Sequence, residues 1–596
     1  MQRSVLLTGG TGFLGKVVLE ALFRRREELG IERVWLLIRA PSAALARERL
    51  ASVVFASPCF AGLESGWHKR VLALPGDLLA PGLGLEAPER QRVCREVTQL
   101  IHCAASIDFD LPLPEAARVN VAGALEVLEL ARSCERLEAL TSVSTAYVTP
   151  HPRGGELARA EEVLAALRGP HADDPERLLA ECLAGSPLAA QALRESGHPN
   201  SYTFTKCLAE HLLAARRGDV PLALVRPSII SAARRHPFPG WIDSHAAFAA
   251  TVALLGTGQL RAVAADPQAR VDLVPVDEVA ARVVAASFAA RPASARAALP
   301  ILHAVSGRAG SVSVEQCRAV ITDFFSRRRA GRGPQLRHLG PVGPGFALRE
   351  ALHQALPAHA AALFERLRGR RRRRAALLAG LERLAQVNRS FAYFTHHSFD
   401  FRSSLPLDAG FDGGAYLETI CRGVHDHLLR LDSRETLLEA RSSLFALWLA
   451  RRGTRVSFDL DSFDAARAAI AAAGRIVLVP SRGDRVARLA LRALRSARPD
   501  LGLAAAELPA APLDALRLRR SQVRGGRAVA LPVGVGGEPG SSRLHLVCGR
   551  PIEIGAGADP SRLQGEIEAE LARATPAHPR PRRRRPRLGA REERSA

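Results

Sequence analysis

Tyr202 and Lys206, in the stretch Ser201-Tyr-Thr-Phe-Thr-Lys-Cys-Leu-Ala-Glu210, are two rare residues at a spacing with chemical meaning. The chain has four tyrosines and three lysines, and writes nearly all of its 83 basic residues as Arg. Four places apart on a helix, the two side chains lie one turn apart on the same face. A nearby ammonium lowers a phenol's pKa, so such a Tyr exchanges a proton with a carbonyl or alcohol oxygen near neutral pH. Arg is a poorer substitute, because its pKa leaves no tuning range and its planar fork differs in reach and hydration. The alternative is a solvated Lys beside a core Tyr, but so few of each rarely meet at this spacing by chance. A third group is expected to hold the substrate oxygen. The run Ser142-Val-Ser-Thr-Ala-Tyr147 ends a predicted buried strand, and open α/β sheets bind ligands at the carboxyl ends of their strands. Thr145 is the first choice and Ser144 the second; each could instead cap the strand's last backbone groups.

A second constellation sits at the start of the chain. VLLTGGTGFLGKVVLEALF (5–23) places Gly9, Gly12 and Gly15 directly after a strand pattern and at the opening of a helical one. Gly9 permits the tight turn, Gly12 lets the backbone approach a pyrophosphate, and Gly15 lets the helix pack closely, with the helix N-terminus facing the phosphates. A glycine triplet alone is weak; in the first strand-to-helix turn it predicts a dinucleotide site. In that setting Lys206 also holds the nicotinamide ribose. An acidic residue at the end of the second strand would bond a ribose 2′-OH, whereas Leu37-Ile38-Arg39 ends there with Arg, followed by Arg47 and Arg49, which favours NADPH. Asp77, ending VLALPGD, is placed either to accept from the adenine amino group or to cap its own loop.

These residues need a scaffold. Short apolar runs at 5–9, 34–39, 71–77, 100–105, 137–145 and 222–230 alternate with helical patterns. Continuous apolar strands between helices predict a doubly wound α/β fold around a parallel sheet, over residues 1–290. Residues 291–430 are expected to be mostly helical, a substrate or linker region broken by GRGPQLRHLGPVGPGF (331–346) and followed by RLRGRRRRR (366–374), which predicts a solvated helix face ahead of a lipid or nucleotide patch. A smaller α/β domain is expected over 431–575, with strands at 475–480, 528–535 and 544–554. The tail 576–596 has almost nothing apolar to bury and is expected to be disordered.

Composition narrows the partners. The formal charge of +23 comes from Arg spread along the chain, without aromatic-interleaved basic motifs, which argues against nucleic acid. Nine scattered cysteines show neither C-x-x-C pairs nor metal-ligand spacing, so no metal is expected and a reduced cytosol fits best. The N-terminus enters a strand at once, without the pattern of a signal peptide, and no apolar run reaches bilayer-spanning length. Peripheral contact with a membrane stays open, as does the oligomeric state.

TGGTGFLG, HCAASIDFD (102–110), SVSTAYV (142–148), YTFTK (202–206), VRPSIISAARRHPFPGWIDS (225–244) and VDLVPVDEVA (271–280) resemble the extended short-chain dehydrogenase/reductases (Rossmann fold), and within them the fatty acyl-CoA reductases with a male-sterility-type NAD-binding domain. The resemblance covers about 1–290, and more weakly 391–430. It implies Thr145, Tyr202 and Lys206 as the catalytic set, with Ser144 beside them. It places Gly9, Thr11, Gly12, Phe13, Leu14, Gly15, Arg39, Asp77, Ala104, Pro227 and Ser228 at the cofactor, with Arg226 in the segment that borders the nicotinamide and the acyl entrance. The implied reaction is NADPH-dependent reduction of a fatty acyl-CoA thioester to aldehyde and on to alcohol, with Tyr202 and Thr145 stabilising the oxyanion. A reductase of carrier-bound acyl groups, another dehydrogenase of the same fold, and a non-catalytic lipid or nucleotide module are the competing readings. Residues 472–554 are similar in layout to glycerolipid acyltransferases, but Arg482 and Ala487 stand where those carry His and Asp, so the resemblance implies a degenerate module.

Overall fold

The computed structural model describes residues 2–152, 158–289, 299–328 and 334–429; beyond them it describes residue 569 and the strands 436–438, 455–458, 475–480, 528–536, 543–548 and 552–554. Seven strands form one sheet: β1 (Arg3–Thr8), β2 (Ile31–Ile38), β3 (Val71–Pro75), β4 (Gln99–His102), β5 (Ala139–Val143), β6 (Leu222–Pro227) and β7 (Ile301–Ala304). Every pairing is parallel and the spatial order is β7-β6-β5-β4-β1-β2-β3. The order reverses between β1 and β4, which opens a crevice at their carboxyl ends.

The apolar runs behave as the pattern requires, since β5 and β6 are buried along their whole length and β1 along all but its first residue. Two cores flank the sheet. On one face α1 (Phe13–Arg24) and α3 (Val276–Phe288) pack through Val17, Val18, Leu22, Val279 and Val283. On the other, α2 (Ser201–Arg216) packs with the helices Gly123–Ser133 and Pro175–Ala184 through Phe204, Leu208, Leu128 and Leu178.

The boundary at 290 needs correction. β7 lies beyond it and supplies the sheet's last strand, and residues up to Ser326 and from Gly333 to Arg430 belong to the same compact unit as the sheet. A four-residue edge strand carries too little periodic signal to be seen in sequence. In this unit the long helix α4 (Arg371–His396) begins inside the expected Arg-rich run, whose seven guanidinium-bearing residues are all exposed. The helix α5 (Gly413–Gly423) presses on the loop after β6, where a Cβ on Gly423 would collide with the Gly240 carbonyl.

The second unit comprises 327–332 and 431–596. Its described strands form a mixed sheet in which 475–480 runs parallel to 528–536. Arg482, Ala487 and the basic tail 576–596 lie outside the described residues, apart from the strands named. No helix among the described residues is long and apolar enough to cross a membrane.

Candidate active site

The glycine turn is built by close approach. Gly9 has φ +75°, and a Cβ there would stand 2.7 Å from the Ala104 nitrogen at the end of β4. At Gly15 a Cβ would overlap the Gly9 carbonyl and come within 2.8 Å of the Gly10 Cα. The third glycine serves another end: at Gly12 a Cβ would meet only the Gly9 carbonyl oxygen, at 3.3 Å, so the space in front of it is open. Gly12 caps α1 without any side-chain hydrogen bond, and the first turn carries no acidic residue. Uncapped N–H groups at a positive helix end, unshielded by a Cβ, fit the phosphates of a dinucleotide.

That turn opens onto a cavity of about 500 Å³, which also receives Ser144, Thr145, Tyr202 and Lys206. Asn200 caps α2 by accepting from the Thr203 N–H, and Ser201 Oγ donates to the Leu111 carbonyl at 2.7 Å, so the helix carrying Tyr202 and Lys206 is fixed at its start. Buried Lys206 donates through Nζ to the Val143 carbonyl at 2.8 Å, at the carboxyl end of β5. Burial pulls its ammonium down to about 8, against the opposing pull of Glu210.

The lowered phenol pKa expected for Tyr202 does not appear in this geometry. Burial pushes it up to about 12, and the group that pulls it back is the Thr145 hydroxyl. The Lys206 ammonium is engaged with the Val143 carbonyl instead. Tyr202 therefore stays protonated through the physiological range and is poised to donate. Thr145 Oγ1 accepts from the Tyr147 N–H at 3.3 Å and lies 3.5 Å from the Pro227 carbonyl. Ser144 lines the same cavity, and its buried Oγ has no hydrogen-bond partner among the described residues.

The other expected residues divide. Phe13, Leu14, Pro227 and Ser228 line the cavity; Thr11, Arg39, Asp77 and Ala104 do not. Ala104 abuts Gly9, and Arg39 stands exposed at the end of β2 with its carbonyl accepting from Arg49 at 2.8 Å. Asp77 caps its own loop, accepting from the Leu79 N–H at 3.0 Å. Ser228 Oγ is held at 2.5 Å by Asp272, which also accepts from the Ser306 and Gly307 N–H groups.

Arg226 is not at the acyl entrance. Side chains alternate along β6, so Pro227 faces the cavity while Arg226 turns away and is wholly buried, gripping Glu210 through Nε at 2.9 Å and Nη2 at 2.5 Å. Two more donations from Arg226, to the Glu161 and Val163 carbonyls, complete its shell.

Sequence reasoning missed the roof and several supports. Trp241 stacks on Phe13 with ring centroids 5.4 Å apart, and Lys16 bonds Asp243 at 2.5 Å, which folds the loop after β6 over the glycine turn. Buried Asn120 accepts from the Ser106 N–H and donates to Thr205, tying the loop after β4 to α2. A polar residue inside the apolar pattern RVNVAGAL was its only signal. Phe109 packs 5.7 Å from Tyr202 and near Phe391 and Phe394 of α4, a helix whose residues from Gln386 to Phe394 wall the cavity. Ile229, Phe391 and Phe394 also border a second cavity of about 50 Å³, whose wall is apolar except for Thr251, Arg318 and Thr395.

The parallel sheet, the glycine turn and the Tyr-Lys helix at its switch point define an extended short-chain dehydrogenase/reductase fold with a nicotinamide site. The family model described as Male sterility protein, an NAD-binding domain, matches residues 7–283. Similar chains include the fatty acyl-CoA reductase wat of Drosophila melanogaster, 33% identical over 279 residues, covering 46% of this chain and 52% of that one. Fatty acyl-CoA reductase 2 of Mus musculus is 30% identical, over 51% of this chain and 58% of its own. The alcohol-forming fatty acyl-CoA reductase of Simmondsia chinensis is 30% identical, over 52% of this chain and 67% of its own. This chain belongs to the fatty acyl-CoA reductase family, and it spans little more than half the length of the fly and mouse proteins. Among solved structures, the terminal R domain of the myxalamid PKS-NRPS pathway shares the fold, with a TM-score of 0.50 at 22% identity over 72% of this chain and 92% of its own.

Proposed function

We propose that this chain reduces long-chain fatty acyl-CoA with NADPH, releasing CoA and carrying the aldehyde on to the alcohol. The observation that carries this reading is a single cavity shared by an uncapped glycine turn, the Thr145, Tyr202 and Lys206 side chains, and an apolar wall of Ile229, Phe391 and Phe394 that also borders a second apolar cavity. The bound nicotinamide supplies hydride. Tyr202 and Thr145 hold the thioester carbonyl oxygen, and their hydrogen bonds strengthen as negative charge gathers there. Expulsion of the CoA thiolate leaves the aldehyde, and Tyr202, protonated at neutral pH, then donates its proton to the alkoxide of the second reduction. The aromatic cluster of Phe109, Phe391 and Phe394 keeps water from the reacting carbon.

NADPH oxidation with palmitoyl-CoA tests the reading. Two NADPH consumed per CoA released, with fatty alcohol as product, is the expected result. One NADPH per CoA and accumulation of aldehyde would limit the enzyme to the first reduction. Turnover only with a carrier-bound acyl group would move the substrate class. The choice of NADPH rests on Arg39 and on the lack of an acid at the end of β2. Arg39→Asp is expected to cut kcat/KM for NADPH by at least about tenfold relative to NADH, as one charge-assisted phosphate contact is lost; an unchanged ratio removes Arg39 from the cofactor site.

Two pH effects follow from Lys206 and have opposite signs. Its folded value near 8 lies below the ordinary 10.5, so between those limits the unfolded chain binds the proton and the folded chain does not. This group alone therefore makes the fold gain stability as pH rises through that window. Turnover needs the ammonium, so kcat/KM is expected to fall as pH rises past about 8. A pH profile flat to 10 would show that the Lys206 charge is not required.

The second cavity predicts chain-length control. Cys317→Leu fills it, and kcat/KM for palmitoyl-CoA is expected to fall about tenfold against decanoyl-CoA, the equivalent of burying two fewer methylenes at ~0.8 kcal/mol each. An unchanged ratio would place the acyl chain elsewhere.

A further inference from the structure

The strongest feature outside the site is a helical hairpin with its apolar face turned outward. A helical stretch runs Pro344–Glu350, through a π turn at Ala351–Ala355, to Leu356–Leu367; three residues later α4 begins, and the two helices pack against each other. Eight of the fourteen exposed large apolar side chains among the described residues fall within 342–377. Leu348, Leu352, Leu356, Leu363 and Leu367 follow one another at spacings of four, four, seven and four, which sets them on one helix face with Phe364 at its margin. Leu348 is 62% and Leu367 79% exposed.

Directly beside this stripe stand Arg366, Arg368 and Arg370 to Arg374, all exposed, within nine residues at the hairpin's tip. Arg368 lies over the Phe364 ring at 4.0 Å, and Glu365 approaches Arg370 at 3.8 Å, one acid against seven guanidiniums. From the structure we infer that this hairpin seats on an anionic lipid bilayer, its leucines in the boundary of the acyl chains and its arginines on lipid phosphates. The composition argues against a protein partner: the stripe is Leu and Phe, whereas protein hot spots favour Trp and Tyr and under-use Leu.

The placement also links the lipid to the site. Gln386, where α4 first walls the cavity, is fifteen residues beyond Arg371, about 22 Å along the helix. One rigid element therefore joins the bilayer-facing tip to the catalytic cavity, a short path for acyl substrate and product. The inference itself does not rest on the reductase reading, because binding is measured without turnover.

The test uses the full chain and sedimentation with phosphatidylcholine vesicles with and without 30 mol% phosphatidylglycerol, a composition chosen to supply roughly the anionic surface on which polybasic segments act. Binding is expected to need the anionic lipid. It should weaken at least on the order of tenfold both in a variant with Arg371 to Arg374 changed to Gln and in L348Q/L352Q/L363Q, because charge and apolar burial both contribute. NADPH oxidation with octanoyl-CoA in solution should be unchanged in both variants, which separates this surface from the reaction and reports that they are folded. In Leu363→Trp, lipid with brominated tails should quench fluorescence beyond that of the parent. Binding that is unchanged in both variants, or vesicle binding without this extra quenching, overturns the inference: the basic tail alone, or an acidic protein partner of the arginines, would then explain the charge.

Discussion

Tyr202→Phe is expected to lower kcat for palmitoyl-CoA by roughly 10²–10⁴-fold, the range general acid-base groups contribute, while NADPH affinity stays near that of the parent. The substitution removes one oxygen from a side chain that otherwise keeps its packing against Phe109 at 5.7 Å. It removes the hydroxyl on which Thr145 acts and leaves the substrate oxygen without its proton donor. Because the ring remains, the loss should appear in kcat more than in KM, the mark of an interaction made chiefly in the transition state. Stopped-flow measurement of NADPH oxidation beside a fluorescence titration of NADPH makes the distinction. A kcat within threefold of the parent would take Tyr202 out of the reaction and turn attention to Ser144, which lines the same cavity.

The second large effect is on stability. Arg226→Ala is expected to destabilise the fold by about 3–5 kcal/mol, since it strands the buried Glu210 carboxylate without its partner. Arg226 is 0% and Glu210 2% exposed at the side chain, so water cannot replace the guanidinium. Glu210 lies one turn beyond Lys206 on α2 and holds the ammonium's value up against burial, so the loss reaches the site through a single helix. Urea unfolding measures the loss of stability. The double variant Arg226→Met with Glu210→Leu should recover much of it, because a buried pair replaced by apolar groups of similar size leaves no orphan charge. Equal stability of Arg226→Ala and the parent would mean that the pair is hydrated, contrary to its burial.

Local chemistry was legible where it depends on neighbours in sequence. A turn that needs φ +75° at Gly9 and a helix that closes on Gly15 can be written only with glycine, so the dinucleotide turn announces itself in a dozen residues. Tyr202 and Lys206 are likewise bound to one helix face by their spacing, and the apolar-rich runs at 5–9, 137–145 and 222–230 mark a sheet covered on both faces. What sequence left open was whatever depends on direction or on distant partners. Arg226 and Pro227 are neighbours in the chain, yet the pleat sends one to Glu210 and the other to the cavity. The fate of Ser228 depended on Asp272, 44 residues away, and that of Tyr202 on its burial.

The sequence by itself determined the class of fold, the nucleotide turn and the acid-base pair, because each rests on backbone sterics or on a period of a few residues. Only the tertiary structure decided that α4, nearly two hundred residues beyond Tyr202, closes the cavity with Phe391 and Phe394. It also decided that the expected solvated Arg face stands beside an outward stripe of leucines, since solvent exposure belongs to the packed molecule and a helical period shows only that two faces differ.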